Sequence, residues 1–122
     1  MAGDPVPEAA DDLLRSLYVA FNARDTDAVL AAVTEDVDWP NAWEGGRLQG
    51  KAAVRDYWER QWAEIDPRVD PISVTSLDDG RIVVEVSQVV RSLDGEVIGE
   101  GRVEHIYELR DGLVARMVVS EG

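Results

Sequence analysis

Three Asp-Gly pairs punctuate the second half of the chain: Asp79-Gly80, Asp94-Gly95 and Asp111-Gly112. An Asp-Gly pair readily takes the positive backbone angles that a tight hairpin turn demands. Between the pairs the side chains alternate with period two. Ile72, Val74 and Ser76 alternate with Ser73, Thr75 and Leu77, and longer runs follow over 81–93, 96–109 and 113–120. Alternating runs joined by such turns form an antiparallel meander. Whatever else the chain does, its second half is a sheet.

The Asp94-Gly95 turn also sets a register. If it is a two-residue turn, Val90 faces Gly99, Gln88 faces Gly101, Val86 faces Val103 and Val84 faces His105. Val97, Gly99, Gly101, Val103, His105, Tyr107 and Leu109 then share one face, apolar except for Gln88, His105 and the tyrosine hydroxyl. That face is the one expected under the helices. The opposite face alternates Val83, Val89, Ile98 and Ile106 with Glu85, Arg91, Glu100, Arg102 and Glu104. It suits either solvent or a homodimer interface with a charged rim, and we favour the dimer. The last strand has two registers: a two-residue turn at Asp111-Gly112 pairs His105 with Val118, and a bulge brings Met117 to the concave side.

The first half has helical spacing. Leu13, Leu14, Leu17, Tyr18 and Phe21 form one apolar stripe on a helix over 8–23. Asp25 or Thr26 caps a second helix over 27–33. Val37 to Trp39 reads as a short strand stopped by Pro40. After Gly50, Val54, Tyr57, Trp58, Trp62 and Ile65 line one face of a third helix, which only Gln61 interrupts; Asp66-Pro67 ends it. Glycines 99 and 101 in mid-strand allow a bend that wraps the sheet around the helices. The expectation is a single α+β domain over residues 1–122, a curved antiparallel sheet against N-terminal helices, with residues 1–7 a loose arm.

Charge narrows the partners. Twelve basic residues against 25 acidic give a formal net charge of −13. Such a field repels phosphate backbones and anionic lipid, so neither nucleic acid nor a membrane is an expected partner. The acidic start, MAGDPVPEAADD, lacks the pattern of a secretory leader, and cytoplasm is the expected compartment. No cysteine and one histidine leave no transition-metal ligand set, and no phosphate-binding glycine loop precedes a helix; no cofactor is expected.

The candidate chemistry is sparse. His105, the single histidine, is either a general acid or base near neutral pH or a core imidazole bonded to a neighbour. Tyr18 is either a donor to a ligand oxygen or a packed core residue. Asp38 and Trp39 must point to opposite faces of their strand. An inward Asp38 is a candidate base; an inward Trp39, the orientation we take, leaves Asp38 a solvated carboxylate. Trp39, Trp43 and Trp58 are candidate pocket walls, with Asn41, Gln88, Tyr107 and Met117 as further contacts. The stretch from Val33 to Lys51, with two tryptophans, Pro40 and three glycines, reads as the pocket's rim and one wall.

The run Leu17–Asp25, then Asp36-Val-Asp-Trp-Pro40, Gly50-Lys-Ala-Ala-Val-Arg-Asp-Tyr-Trp58, His105-Ile-Tyr-Glu-Leu109 and Asp111-Gly-Leu-Val114 resembles the SnoaL-like branch of the nuclear transport factor 2 and ketosteroid isomerase superfamily. The resemblance implies a cone-shaped α+β fold, a deep apolar pocket and a homodimer through the outer sheet face. It puts Tyr18 where the isomerases carry an oxyanion-stabilising tyrosine, His105 about where they carry a protonated aspartic acid, and Trp58 at a pocket aromatic. It also marks a departure: the isomerase base precedes a proline in the early strand, and here Trp39 precedes Pro40. The function implied is proton transfer on a small apolar carbonyl compound, of isomerase, cyclase or dehydratase type, without the usual aspartate base. The alternative is a dimeric ligand-binding or interaction domain without catalysis.

Overall fold

The computed structural model describes residues 6–41 and 45–120. Most of the expected N-terminal arm, and Trp43, lie outside that range. The elements run α1 (Glu8–Asn22), α2 (Thr26–Ala31), β1 (Val33–Pro40), β2 (Arg47–Gln49), α3 (Lys51–Glu64), β3 (Ile65–Ser76), β4 (Ile82–Ser92), β5 (Val97–Arg110) and β6 (Leu113–Ser120). The six strands form one curved, unclosed sheet in the order β2-β1-β6-β5-β4-β3. No helix among the described residues is long and apolar enough to cross a membrane.

Helix α1 buries the stripe its spacing predicts, through Leu14, Leu17 and Tyr18. Its exit is held by Arg24, a non-glycine residue in the left-handed region (φ 61°). That conformation is unfavourable for a side chain with a Cβ. Arg24 offsets it by donating to the Phe21 and Pro67 carbonyls, pairing with Asp66, and lying 5.0 Å from the Trp62 ring centroid. The Asp25 carboxylate then accepts from the Ala28 N–H and caps α2. Gly50, at φ 89°, precedes α3 and donates its N–H to Val37 O at 2.8 Å, which ties the helix start to β1.

The β4–β5 register is the expected one from Val84–His105 through Val90–Gly99. Close to the turn it shifts: Arg91 stands opposite Val97 and Ser92 N–H bonds to Glu96 O, so the turn holds three residues, Leu93, Asp94 and Gly95, and not the expected two. The extra residue is Ile98, which joins the cavity lining that strict alternation would have given to Val97. A second bulge, between Glu108 and Leu109, sets Met117 opposite Tyr107 and Val119 opposite His105. The bulged alternative for the last strand is therefore the observed one.

Three features depart from the sequence expectation. Strand β3 begins at Ile65, directly after α3, not near Ile72, and it pairs with β4 from Ile65–Ser92 onward. Pro67 and Pro71 fit because β3 is an edge strand, where a missing N–H need not break a ladder. Strand β1 spans eight residues where three were expected, and it runs parallel to β6, so the sheet is mixed. Strand β2 pairs Pro40, Trp39 and Asp38 with Arg47, Leu48 and Gln49, which makes the predicted rim a short hairpin.

The free edge of β3 is tied down by α1. The Asn22 side chain accepts from Val69 N–H at 2.9 Å and donates to Val69 O at 2.7 Å, as a neighbouring strand would. This clamp holds α1 across the concave face and so places Tyr18 opposite His105.

Candidate functional site

Between the helices and the concave face lies a cavity of about 560 Å³. Phe21 from α1, Trp39 from β1, and Tyr57 and Trp58 from α3 build one side. The rings meet mostly edge to face: Trp39 and Trp58 at 5.6 Å and 90°, Phe21 and Trp58 at 5.7 Å and 77°. This is the favourable geometry for aromatic quadrupoles, and it makes that wall stiff. The sheet supplies the other side through residues including Val90, Gly99 and Val103.

The polar groups are few and grouped. Tyr18 Oη is 2.7 Å from His105 Nδ1 and 2.6 Å from Tyr107 Oη. All three side chains line the cavity. They are nearly inaccessible from outside: Tyr107 is 0%, Tyr18 2% and His105 7% exposed. His105 and Tyr107, two residues apart on β5, face the same way, and the stripe of α1 brings Tyr18 down onto both. Gln88 also lines the cavity, and so does Gln61, whose Nε2 donates to Tyr57 Oη at 3.2 Å.

Burial sets the protonation states. It pushes the His105 imidazolium down from 6.5 to about 4, so the ring is neutral at neutral pH. Burial raises the Tyr18 phenol well above its ordinary value, and the neighbouring Tyr107 raises it further. Burial raises Tyr107 too, partly offset by its bond to Tyr18. The polar end of the cavity is thus a chain of three neutral groups. No Asp, Glu, Lys or Arg stands among the described residues lining it. Nor does any group of three or more His, Asp or Glu among them have metal-site geometry.

Of the residues singled out from the sequence, His105, Tyr18, Tyr107, Gln88, Trp39, Trp58 and Met117 all reach this cavity. Asp38 does not. Alternation along β1 turns Trp39 inward and Asp38 outward, where Asp38 pairs with Arg47 at 2.9 Å and Arg116 at 3.4 Å. Asn41, directly after β1, is buried, bonded through its backbone to Gly45 and Gly46, and is not among the lining residues. Trp43 lies outside the described residues. Sequence reasoning had missed Tyr57 and Gln61 as cavity residues. The signal was present, since Gln61 is the one polar residue on the apolar face of α3.

The sequence model of the SnoaL-like domain matches residues 14–117. Among solved structures, TerC, co-crystallized with polyporic acid, superposes with a TM-score of 0.81 at 23% identity, covering 94% of this chain and 92% of its own. A candidate polyketide cyclase from Xanthomonas campestris pv. campestris gives 0.76 at 28% identity, over 92% of this chain and 89% of its own. An LEH-like epoxide hydrolase of M. tuberculosis gives 0.77 at 17% identity, over 94% of this chain and 84% of its own. No curated protein sequence matches. The helices-then-sheet order, the concave cavity and the match across most of its length make this chain a member of the SnoaL-like domain family, within the nuclear transport factor 2-like superfamily.

Proposed function

We propose that this protein binds a small, mostly apolar, carbonyl-bearing molecule and promotes its isomerisation or ring closure by hydrogen-bonding the carbonyl oxygen as it gains negative charge, while the proton lost from the neighbouring carbon passes to solvent water and is returned from it. The observation that carries the reading is the Tyr107–Tyr18–His105 chain at the polar end of an otherwise apolar cavity. Prearranged donors aimed at an oxygen that gains negative charge stabilise the transition state more than the ground state. His105 is the group that meets the substrate oxygen, and Tyr18 and Tyr107 act through it. The aromatic wall holds the carbon skeleton. Asp38 has no part in this scheme. Support also comes from the candidate polyketide cyclases of Xanthomonas campestris and Pseudomonas putida, 28% and 26% identical, which carry the same fold.

The test is a panel of aryl ketones and 1,3-diketones assayed for enolisation or cyclisation. Turnover that disappears in a folded His105→Ala variant supports the proposal. Turnover that survives the substitution refutes it. A second reading, a binding domain without catalysis, is favoured by one observation: no carboxylate base lines the cavity among the described residues. Tight ligand binding with no turnover across the panel selects it.

The proposal includes a homodimer through the outer face of β4 and β5, where Val83, Val89 and Ile106 alternate with charged side chains. Sedimentation equilibrium of the protein and of Val89→Glu tests it. A monomeric wild type rules it out.

A further inference from the structure

We infer that His105 stands in the cavity as the neutral tautomer with its proton on Nε2, and that the cavity consequently selects an uncharged ligand presenting an acceptor oxygen over the matching carboxylate. The inference rests on the reading that this cavity is the ligand site, and it deepens that reading by fixing the polarity of the contact.

The number of protons available to the chain fixes the tautomer. Tyr107 Oη, Tyr18 Oη and His105 Nδ1 form a chain with two hydrogen bonds. Each hydroxyl carries one proton, and a neutral imidazole carries one more. In one arrangement Tyr107 donates to Tyr18 and Tyr18 donates to Nδ1. Both hydroxyl protons are then used, and the imidazole proton sits on Nε2. In the other arrangement Nδ1–H donates to Tyr18 and Tyr18 donates to Tyr107. That leaves the Tyr107 proton without an acceptor among the described residues, on a side chain that is 0% exposed. Each arrangement leaves one proton without a partner among the described residues, Nε2–H in the first and Tyr107 O–H in the second; Tyr107 is closed off from any ligand or water, whereas Nε2 is not among the closed-off unpartnered atoms, so the first arrangement prevails. Nε2 makes no hydrogen bond to the described residues, and His105 lines the cavity, so its proton is offered to the ligand.

Where His105 meets the ligand it presents an N–H and no lone pair, and this contact accepts a carbonyl oxygen. It does not accept a carboxylate, whose charge would be buried with no cation among the described lining residues. His105 is then a donor in the resting site, not a base. Tyr18 is a positioning residue that fixes the tautomer.

The protein has one histidine, so its imidazole nitrogens can be read without assignment. The experiment is nitrogen NMR of the histidine-labelled protein at neutral pH. The expected spectrum shows a protonated Nε2 and a bare, hydrogen-bonded Nδ1. In Tyr18→Phe both tautomers should populate. A wild-type spectrum with Nδ1 protonated, or with both nitrogens protonated, overturns the assignment, and that outcome does not depend on any variant folding. Ligand selection is tested by fluorescence titration with 2-acetylnaphthalene and 2-naphthoate. The ketone should bind at least ~100-fold more tightly, since an unpaired buried charge is strongly disfavoured. Equal binding, tighter binding of the acid, or binding of neither overturns the selection. Absence of turnover with the tautomer and the selectivity intact refutes the catalytic reading alone. The wrong tautomer in an active enzyme refutes this inference alone.

Discussion

Acidification should unfold this protein earlier than its surface carboxylates require, and His105 should be the cause. The ring is held neutral in the fold down to about pH 4, against an ordinary value of 6.5. Between those values the unfolded chain binds a proton there and the folded chain does not. Stability therefore rises with pH across that window and falls as pH drops through it. At about 1.4 kcal/mol per pH unit, the interval amounts to about 3 kcal/mol, of which about 2 kcal/mol is lost between pH 7 and pH 5. Asp36, Asp79 and Asp94 are held below their ordinary 3.8 by hydrogen bonds, so their contribution is present above 3.8 and is lost only at lower pH. The window from 5 to 6.5 isolates the histidine. The assay is urea unfolding at stepped pH, followed by tryptophan fluorescence, for the wild type and for His105→Gln. The difference between the two stability curves should slope upward with pH over that window. Parallel curves would refute the claim that the ring is buried neutral.

Three further predictions concern the scaffold. Asn22→Ala removes both partners of the Val69 peptide at the edge of β3 and should cost about 2 kcal/mol in urea unfolding, the worth of two hydrogen bonds with a half-buried peptide left behind. Trp58→Ala empties the centre of the aromatic wall, where the ring is 1% exposed, and should cost about 3–5 kcal/mol by the same measurement. Gly112→Ala meets no atom within 4 Å but must hold φ at +78°, so its cost is backbone strain alone, about 1 kcal/mol, with cavity binding unchanged in ligand titrations.

Much of this architecture is legible in the residues because it is local. The Asp94-Gly95 pair locates the β4–β5 hairpin, whose register away from the turn is the expected one because the bulge at Ile98 offsets the extra turn residue, and the stripe of α1 announces its buried face. The tertiary features are not local. Whether Ile65 to Pro71 is loop or strand depends on β4 offering it a ladder and on Asn22 covering its far side. The parallel pairing of β1 with β6 depends on where α3 lets the chain return. Both bulges move a residue between faces, Ile98 in one case and Met117 in the other, and period-two reasoning passes over the first and leaves the second open. The candidate site divides the same way. His105 and Tyr107 share a face by alternation, and Tyr18 belongs to the helix stripe expected above it. That the three form one hydrogen-bonded chain depends on the angle at which α1 crosses the sheet, which the sequence does not state. The outward turn of Asp38 was one of two orientations open to β1, and pairing with Arg47 and Arg116 accompanies the one it takes.

Proton loss beside a bound carbonyl can be seen without knowing the natural substrate, as exchange of the carbon-bound hydrogens there. The direct measurement is the rate at which those positions in an aryl ketone take up deuterium in heavy water with wild-type protein or His105→Ala present. Exchange accelerated by the wild type and lost in the variant is the predicted result. Exchange no faster than in buffer, or equally fast with both proteins, would contradict the account.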